Sequence, residues 1–326
     1  MVAQAPGAIA AGRAAAILSG PASNRTPDRG APGCRPVMFP MSSDTLHRFT
    51  FTKAPARGLL VQLEHSWQDV LSRHIYPTAV RDLLGQVLAS AALLGANLKS
   101  EGQVIVELRG EGPLRLLVAD NRGGHTVRAL ARWGEPLLGR DWQGLLGAGR
   151  LVITLDPRGG GQRYQGIVEL ADGVAATLES YFASSEQLPG HIVLAADATR
   201  AAGLLIQRLP AASGPQADAQ WDHIAALAGT ARPQELLTLS PQALLGRLFA
   251  DQDMRLLAAQ DIAFGCSCSS DRVLATLMGL GRREIESLLA ERGGIDVECE
   301  FCNQHYHLDR AATEQLLADM TQGALH

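Results

Sequence analysis

Cys266-Ser267-Cys268 and, about thirty residues later, Cys299-Glu300-Phe301-Cys302 hold four of the five cysteines in this chain of 326 residues. Each short pair offers two thiolates from one turn of chain, so together they can surround one zinc ion tetrahedrally. The expected ligands are Cys266, Cys268, Cys299 and Cys302, with one zinc ion per chain. Structural zinc sites ordinarily use Cys-x-x-Cys on both arms. The Cys-x-Cys arm here departs from that rule and points from a plain zinc finger toward a switch. His305 and His307 lie close enough to compete as ligands, but four thiolates suffice, and both histidines read as strand residues.

The sequence around the cysteines predicts a small terminal unit over 264–326. Ser270 or Asp271 caps a helix carrying Val273, Leu274, Leu277 and Met278. A second helix holds Ile285, Leu288 and Leu289 and stops at Gly293-Gly294. Ile295, Val297 and Cys299 alternate with Asp296 and Glu298, and Tyr306 and Leu308 flank His307. That period of two predicts a hairpin folded around the metal. A last helix starts near Asp309.

Upstream, Ala211 to Ala219 is rich in Pro, Gly, Ser and Ala and marks a boundary, followed by a helical linker over 214–263. Trp221, Ile224, Leu227 and Ala228 share one helical face. Ser240-Pro241 is a cap with proline at the first helical position, and Leu244, Leu245, Leu248 and Phe249 form the stripe behind it. Helices this short are stable only when packed against neighbours. Before them, 43–213 mixes strands and helices without regular alternation. Strands are expected at Leu59–Leu63, Val104–Leu108, Leu114–Val118, Arg150–Leu155, Tyr164–Leu170, Ile192–Leu194 and Leu204–Arg208. Helices are expected from Pro77 to Leu98 and from Val174 to Phe182. The class is therefore α+β, with a mixed strand and helix core.

Composition excludes several classes. Hydrophobic residues make up 46% and charged residues 19%, enough for one sizeable core and a smaller module. The net charge of -4 supplies no basic footprint for nucleic acid, and 5% aromatics supply no broad stacking surface. The longest apolar stretch, Leu83 to Leu98, is broken by Gln86, Ser90 and Asn97 and falls short of the roughly 20 residues that span a bilayer. It reads as a buried core helix, and no membrane partner is expected. Clustered thiols suggest a reducing compartment, taken as the cytoplasm. Residues 1–42 are poor in acids, and Arg13 interrupts their one apolar run. They read as a disordered tail or as translation assigned to start ahead of Met38 or Met41. An organelle transit peptide is the lesser option. Cys34 within them has no assigned role.

Catalytic patterns are weak. The glycines of 144–149 and 159–161 are followed by no Gly-Lys-Ser/Thr, so they form no phosphate cradle. Ser184, His191 and Asp197 can be drawn as a triad, but their spacing does not support one. No catalytic residue is expected. Two rival readings stand beside a switch. One is a purely structural zinc module on an unidentified core. The other is a thiol-disulfide oxidoreductase using Cys299 and Cys302, a chemistry that ordinarily wants its first thiol at a helix N-terminus.

At its cysteines the chain resembles the redox-regulated heat-shock chaperone of about 33 kDa, a bacterial holdase family marked by Cys-x-Cys and, about thirty residues later, Cys-x-x-Cys. Arg163-Tyr164-Gln165-Gly166, Tyr181-Phe182 with Ser185-Glu186-Gln187-Leu188-Pro189, and Ala201-Ala202-Gly203 extend the likeness, which runs from about Leu46 to the end. The N-terminal extension and Gly190, where threonine is common, depart from the family. The resemblance implies a reduced, zinc-bound, inactive monomer. It implies that oxidation ejects zinc, pairs Cys266 with Cys268 and Cys299 with Cys302, unfolds the linker and favours an active dimer. That dimer holds unfolding client proteins without ATP. Trp221, Ile224, Leu227, Leu244, Leu248 and Phe249 are the expected client-binding candidates, because apolar surface released from packing binds other apolar surface.

Elementary energetics support such a switch. A tetrathiolate zinc site supplies roughly 10–16 kcal/mol of folding free energy to a small module. Disulfides closing loops of only three or four residues each contribute about 1.5–2 kcal/mol, a sum of about 3–4 kcal/mol. Neither disulfide ties one arm to the other, so replacing metal by disulfides should unfold the unit. A disulfide across a single intervening residue is strained and easily reduced, which resets the device.

Overall fold

The computed structural model describes residues 44–98, 102–135, 137, 141–157, 161–210 and 214–323. The expectations for 1–42 and Cys34 lie outside them. The chain divides into one unit ending at Gly265 and another beginning at Cys266.

In the first unit β1 (Thr45–Phe51) pairs with β2 (Ala56–Leu63). The helices α1 (His65–Leu71) and α2 (Thr78–Gly95) follow. From Val87 to Gly95 every residue of α2 is buried. A helix apolar on all sides needs cover on all sides, and α2 packs against strands of both sheets of this unit. At Gly95 an added Cβ would stand 2.2 Å from Asn121 Oδ1, so glycine permits that close approach. No helix among the described residues is long and apolar enough to cross a membrane.

The antiparallel run β3 (Gly102–Gly110), β4 (Leu114–Arg122) and β5 (Thr126–Trp133) comes next. The short helix α3 (Trp142–Leu146) leads to the pair β6 (Gly149–Pro157) and β7 (Tyr164–Glu169). Helix α4 (Val174–Tyr181) continues as a π-helical turn over Phe182–Glu186. The pair β8 (Gly190–Ala196) and β9 (Ala201–Arg208) follows. Two segments of the likeness meet here, since a Cβ at Gly166 would lie 2.5 Å from the Tyr181 ring. Gly190 faces the Phe182 ring, where a Cβ would come within 2.8 Å.

The linker span contains α5 (Pro215–Gly229), α6 (Pro233–Thr238) and α7 (Pro241–Leu248). It does not end in helix. β10 (Met254–Leu256), β11 (Gln260–Asp261) and β12 (Ala263–Phe264) form an extended strap. One sheet has the order β10-β1-β2-β9-β8, with β11 also on β1. The other has the order β12-β5-β4-β3-β6-β7.

The second unit comprises α8 (Ser270–Leu280), α9 (Arg282–Arg292), the hairpin β13 (Ile295–Glu298) and β14 (His305–Leu308), and α10 (Arg310–Gly323). Its buried core is small: Val273, Leu277, Ile285, Leu289, Ile295, Phe301, Leu308, Leu316 and Leu317.

Several boundaries differ from the sequence reading. Helix α5 starts inside the predicted break, because Gly214, at φ 110, turns the chain and Pro215 suits a first helical turn. The cap of α8 is Ser269, whose hydroxyl accepts from the Arg272 N–H at 3.3 Å. Met278, expected on the apolar face, is 44% exposed. β4 runs on to Arg122, past the expected end at Val118, and Asn121 accepts from the Gly124 N–H at 3.0 Å. β5 escaped the pattern because Arg128 occupies a buried position. The guanidinium donates to Asp120 at 2.6 Å there, which replaces water as its partner.

Candidate metal centre

Both cysteine arms are shaped by local hydrogen bonds. Cys266 and Cys268 immediately precede Ser269, the cap of α8. Arg272, one turn into that helix, donates to Ser267 Oγ at 2.6 Å, which fixes the residue between the two thiols. On the other arm β13 delivers Cys299 into a tight turn. The Cys299 carbonyl accepts from the N–H groups of Cys302 at 3.2 Å and Asn303 at 2.7 Å, and the Cys299 N–H donates to the Gln304 carbonyl at 3.0 Å. Asn303 sits at φ 58, a left-handed conformation that asparagine tolerates better than most residues.

These turns gather four sulphurs within 4.8 Å of one another. Cys266 Sγ lies 3.7 Å from Cys299 Sγ, and Cys268 Sγ lies 3.3 Å from Cys302 Sγ. Zinc–sulphur bonds of about 2.3 Å in a tetrahedron require sulphurs about 3.8 Å apart. The cluster is therefore close to the size of a tetrathiolate cage, and the soft, all-sulphur donor set suits zinc. Both of these contacts run between the arms, so one ion held by all four sulphurs would join them. Cys299 is buried, and the other three are half-buried.

Two of these thiols, Cys299 and Cys302, resist ionisation. The hydrogen bond shared with Cys266, then burial, then the charge of Cys266 push Cys299 well above the usual thiol range. Burial and the neighbouring thiols push Cys302 up to about 12, against opposing help from the Gln304 backbone. Packing four incipient anions together is unfavourable unless a cation balances them.

Neither histidine joins the cluster. His307 Nδ1 is 2.7 Å from Asp296 Oδ1 across the hairpin, and His305 lies 3.9 Å from Glu298. Sequence reasoning missed Tyr306, whose phenol is held above its ordinary range by burial and by a hydrogen bond to Cys268. Its strand period placed it but gave no sign of that contact. The imagined triad does not assemble. His191 pairs with Glu179 at 2.8 Å, Ser184 donates to the Ser180 carbonyl, and Asp197 caps its own turn at Thr199 and Arg200.

The client-binding candidates lie in the first unit. Trp221, Ile224, Leu244, Leu248 and Phe249 are buried against Phe49, Phe51, Leu60, Leu204 and Ile206 of the sheet, and Leu227 is partly buried beside them. Two polar side chains absent from the sequence reading, buried Gln62 and half-buried Arg200, hold α6 there. Gln62 donates to the carbonyls of Leu236 and Leu239, both at 2.8 Å, and Arg200 donates to that of Leu237 at 2.8 Å.

Comparison with known proteins agrees with this architecture. The model of the family described as "Hsp33 protein" matches residues 44–309. The 33 kDa chaperonin of Nitrosococcus oceani is 44% identical over 281 residues, covering 86% of this chain and 96% of the relative. That of Methylobacillus flagellatus is 44% identical over 276 residues, covering 84% and 94%. The crystal structure of the 33 kDa chaperonin (heat shock protein 33 homolog) from Thermotoga maritima superposes with a TM-score of 0.74 at 23% identity, covering 85% of this chain and 99% of that one.

Proposed function

This chain belongs to the Hsp33 family, and on that premise we propose that it is an ATP-independent holdase switched on by oxidation of Cys266, Cys268, Cys299 and Cys302. The observation that carries the proposal is the single cluster of four sulphurs drawn from two arms. The described cysteines form no disulfide, so no covalent bridge ties one arm to the other. Zinc, when bound, supplies that tie and keeps the sulphurs as thiolates.

In the oxidation step each arm loses two electrons and its two sulphurs bond to each other, Cys266 to Cys268 and Cys299 to Cys302. Two molecules of peroxide take the four electrons and, with protons, leave as water. Each new bond closes only its own turn. The small core around Val273, Ile285 and Ile295 then carries the second unit alone, which is too little apolar burial for a stable fold. Linker helices α5–α7 loosen with it and expose Trp221, Ile224, Leu227, Leu244, Leu248 and Phe249 to unfolding clients. The oxidised form is a dimer and the reduced form a monomer, acting in the cytoplasm.

Peroxide with mild heating should release one zinc per chain, yield a dimer on sedimentation, and suppress light scattering from a heat-denatured client. Oxidised, zinc-free protein that leaves the scattering unchanged would falsify the proposal. Zinc retained through the treatment would favour a purely structural site, and catalytic turnover of dithiols would favour an oxidoreductase.

A further inference from the structure

Among the described residues, the strap alone covers the outer edge of β1 from Asp44 to Thr52. β10 sets Leu256, Arg255 and Met254 opposite Phe49, Thr50 and Phe51, and β11 sets Asp261 and Gln260 opposite Thr45 and Leu46. Around them the Leu257 N–H donates to the Arg48 carbonyl at 2.8 Å, the Ile262 N–H to the Asp44 carbonyl at 3.0 Å, and the Thr52 N–H to the Asp253 carbonyl at 2.9 Å. The strap is otherwise lightly held. Leu256 and Leu257 are 40% and 41% exposed, and Ile262 is its one buried side chain. The Phe264 ring lies 3.9 Å beneath the Arg73 guanidinium, and Gln260 donates to the Gly124 carbonyl at 2.7 Å. Main-chain pairing with few buried contacts is the profile of a segment that opens below the global stability. The strap also runs directly into the metal centre, since the Gly265 N–H bonds the Val127 carbonyl and the next residue is Cys266.

Beneath the strap, β1 has no edge protection of its own. Thr45-Leu46-His47-Arg48-Phe49-Thr50-Phe51 is rich in threonine and aromatics, lacks proline and lysine, and carries Arg48 as its one permanently charged residue. Edge strands of that composition recruit other strands.

We infer that the β1 edge is a client site that reads backbone: when the strap leaves, an extended segment of an unfolded polypeptide pairs antiparallel with Thr45–Phe51 in its place. The inference rests on the holdase reading above. The occupant is argued from the strap, which already sits there as an extended chain. Most of its side chains face solvent, so the edge holds it through main-chain bonds and requires little of its sequence. A holdase with many clients needs that tolerance, and strand addition supplies it. Phe49 and Phe51 add an apolar flank once the linker helices lift.

The test is hydrogen exchange on the full-length chain, using reduced, carboxymethylated lactalbumin as a permanently unfolded client. Oxidation should deprotect the β1 amides that face the strap, among them Thr50, and saturating client should restore their protection. Thr50→Pro removes an outward N–H that β2 does not use. In the oxidised state it should weaken capture of the same client about tenfold, the loss of roughly one backbone bond, while zinc content and release stay as in the parent. Three results overturn the inference: β1 amides that stay protected on oxidation, amides that stay exposed under saturating client, or protection that rises with the protein's own concentration before client is added. The last assigns the edge to a second copy. Oxidised parent protein that suppresses aggregation under any of these results leaves the holdase reading standing and removes the edge alone. Failure to suppress aggregation removes both.

Discussion

Cys299 is the residue on which the candidate metal centre turns, because it is the buried thiol among the described cysteines and its carbonyl and N–H also close the turn that presents Cys302. Its proton is held tightly in the metal-free form, and Cys302 is raised from the ordinary thiol value of 9.0 to about 12. The sign for zinc follows. Below those values the thiols carry protons that the metal must displace, so zinc affinity falls as pH falls, by up to about four powers of ten per unit for four ligands. Zinc competition across a pH series should show that steep slope, and Cys299→Ser should flatten it by about one proton and weaken binding. An unchanged slope in the variant would remove Cys299 from the ligand set. The four cysteines were legible as a set because each pair is a local spacing. The 3.3 Å and 3.7 Å contacts between arms were not, since they join residues more than thirty positions apart.

The linker helices were legible as elements. Ser240 caps α7 by accepting from the Ala243 N–H at 3.3 Å, and the stripe of Leu244, Leu245, Leu248 and Phe249 is buried as its period requires. What holds them was not legible, because Gln62 lies far upstream in β2 and looks like an ordinary polar strand residue. Its buried amide satisfies two carbonyls at the end of α6. Gln62→Met keeps the volume and leaves both carbonyls without that donor, at a cost of about 1–3 kcal/mol. The reduced variant should bind an apolar-surface dye at a lower temperature than the parent while keeping its zinc. An identical dye profile would show that the amide does not hold the helix. The strap β10–β12 escaped for a different reason: strands of two or three residues are too short to display a period.

At the scale of the whole molecule the two units differ in what stabilises them. The first has an apolar helix covered by strands of both its sheets, and its core runs from Leu46 to Ile262. The second buries only a handful of large side chains and draws its four clustered sulphurs from its first residues and from the turn after β13. Chelation under reducing conditions should therefore deprotect amides after Cys266 in hydrogen exchange and leave α2 and its flanking strands slow. A second unit that stays protected without metal would contradict the role given to zinc. The sequence by itself determined the set of four clustered cysteines, the buried helix, the cap of α7 and the α+β class, because side-chain chemistry and periodicity act over a few residues. Only the tertiary structure decided which strands are neighbours, that a strap covers β1, and that Gln62 and Arg200 hold the linker. Those contacts depend on backbone groups that every residue shares and on partners distant in the chain, so no local pattern announces them.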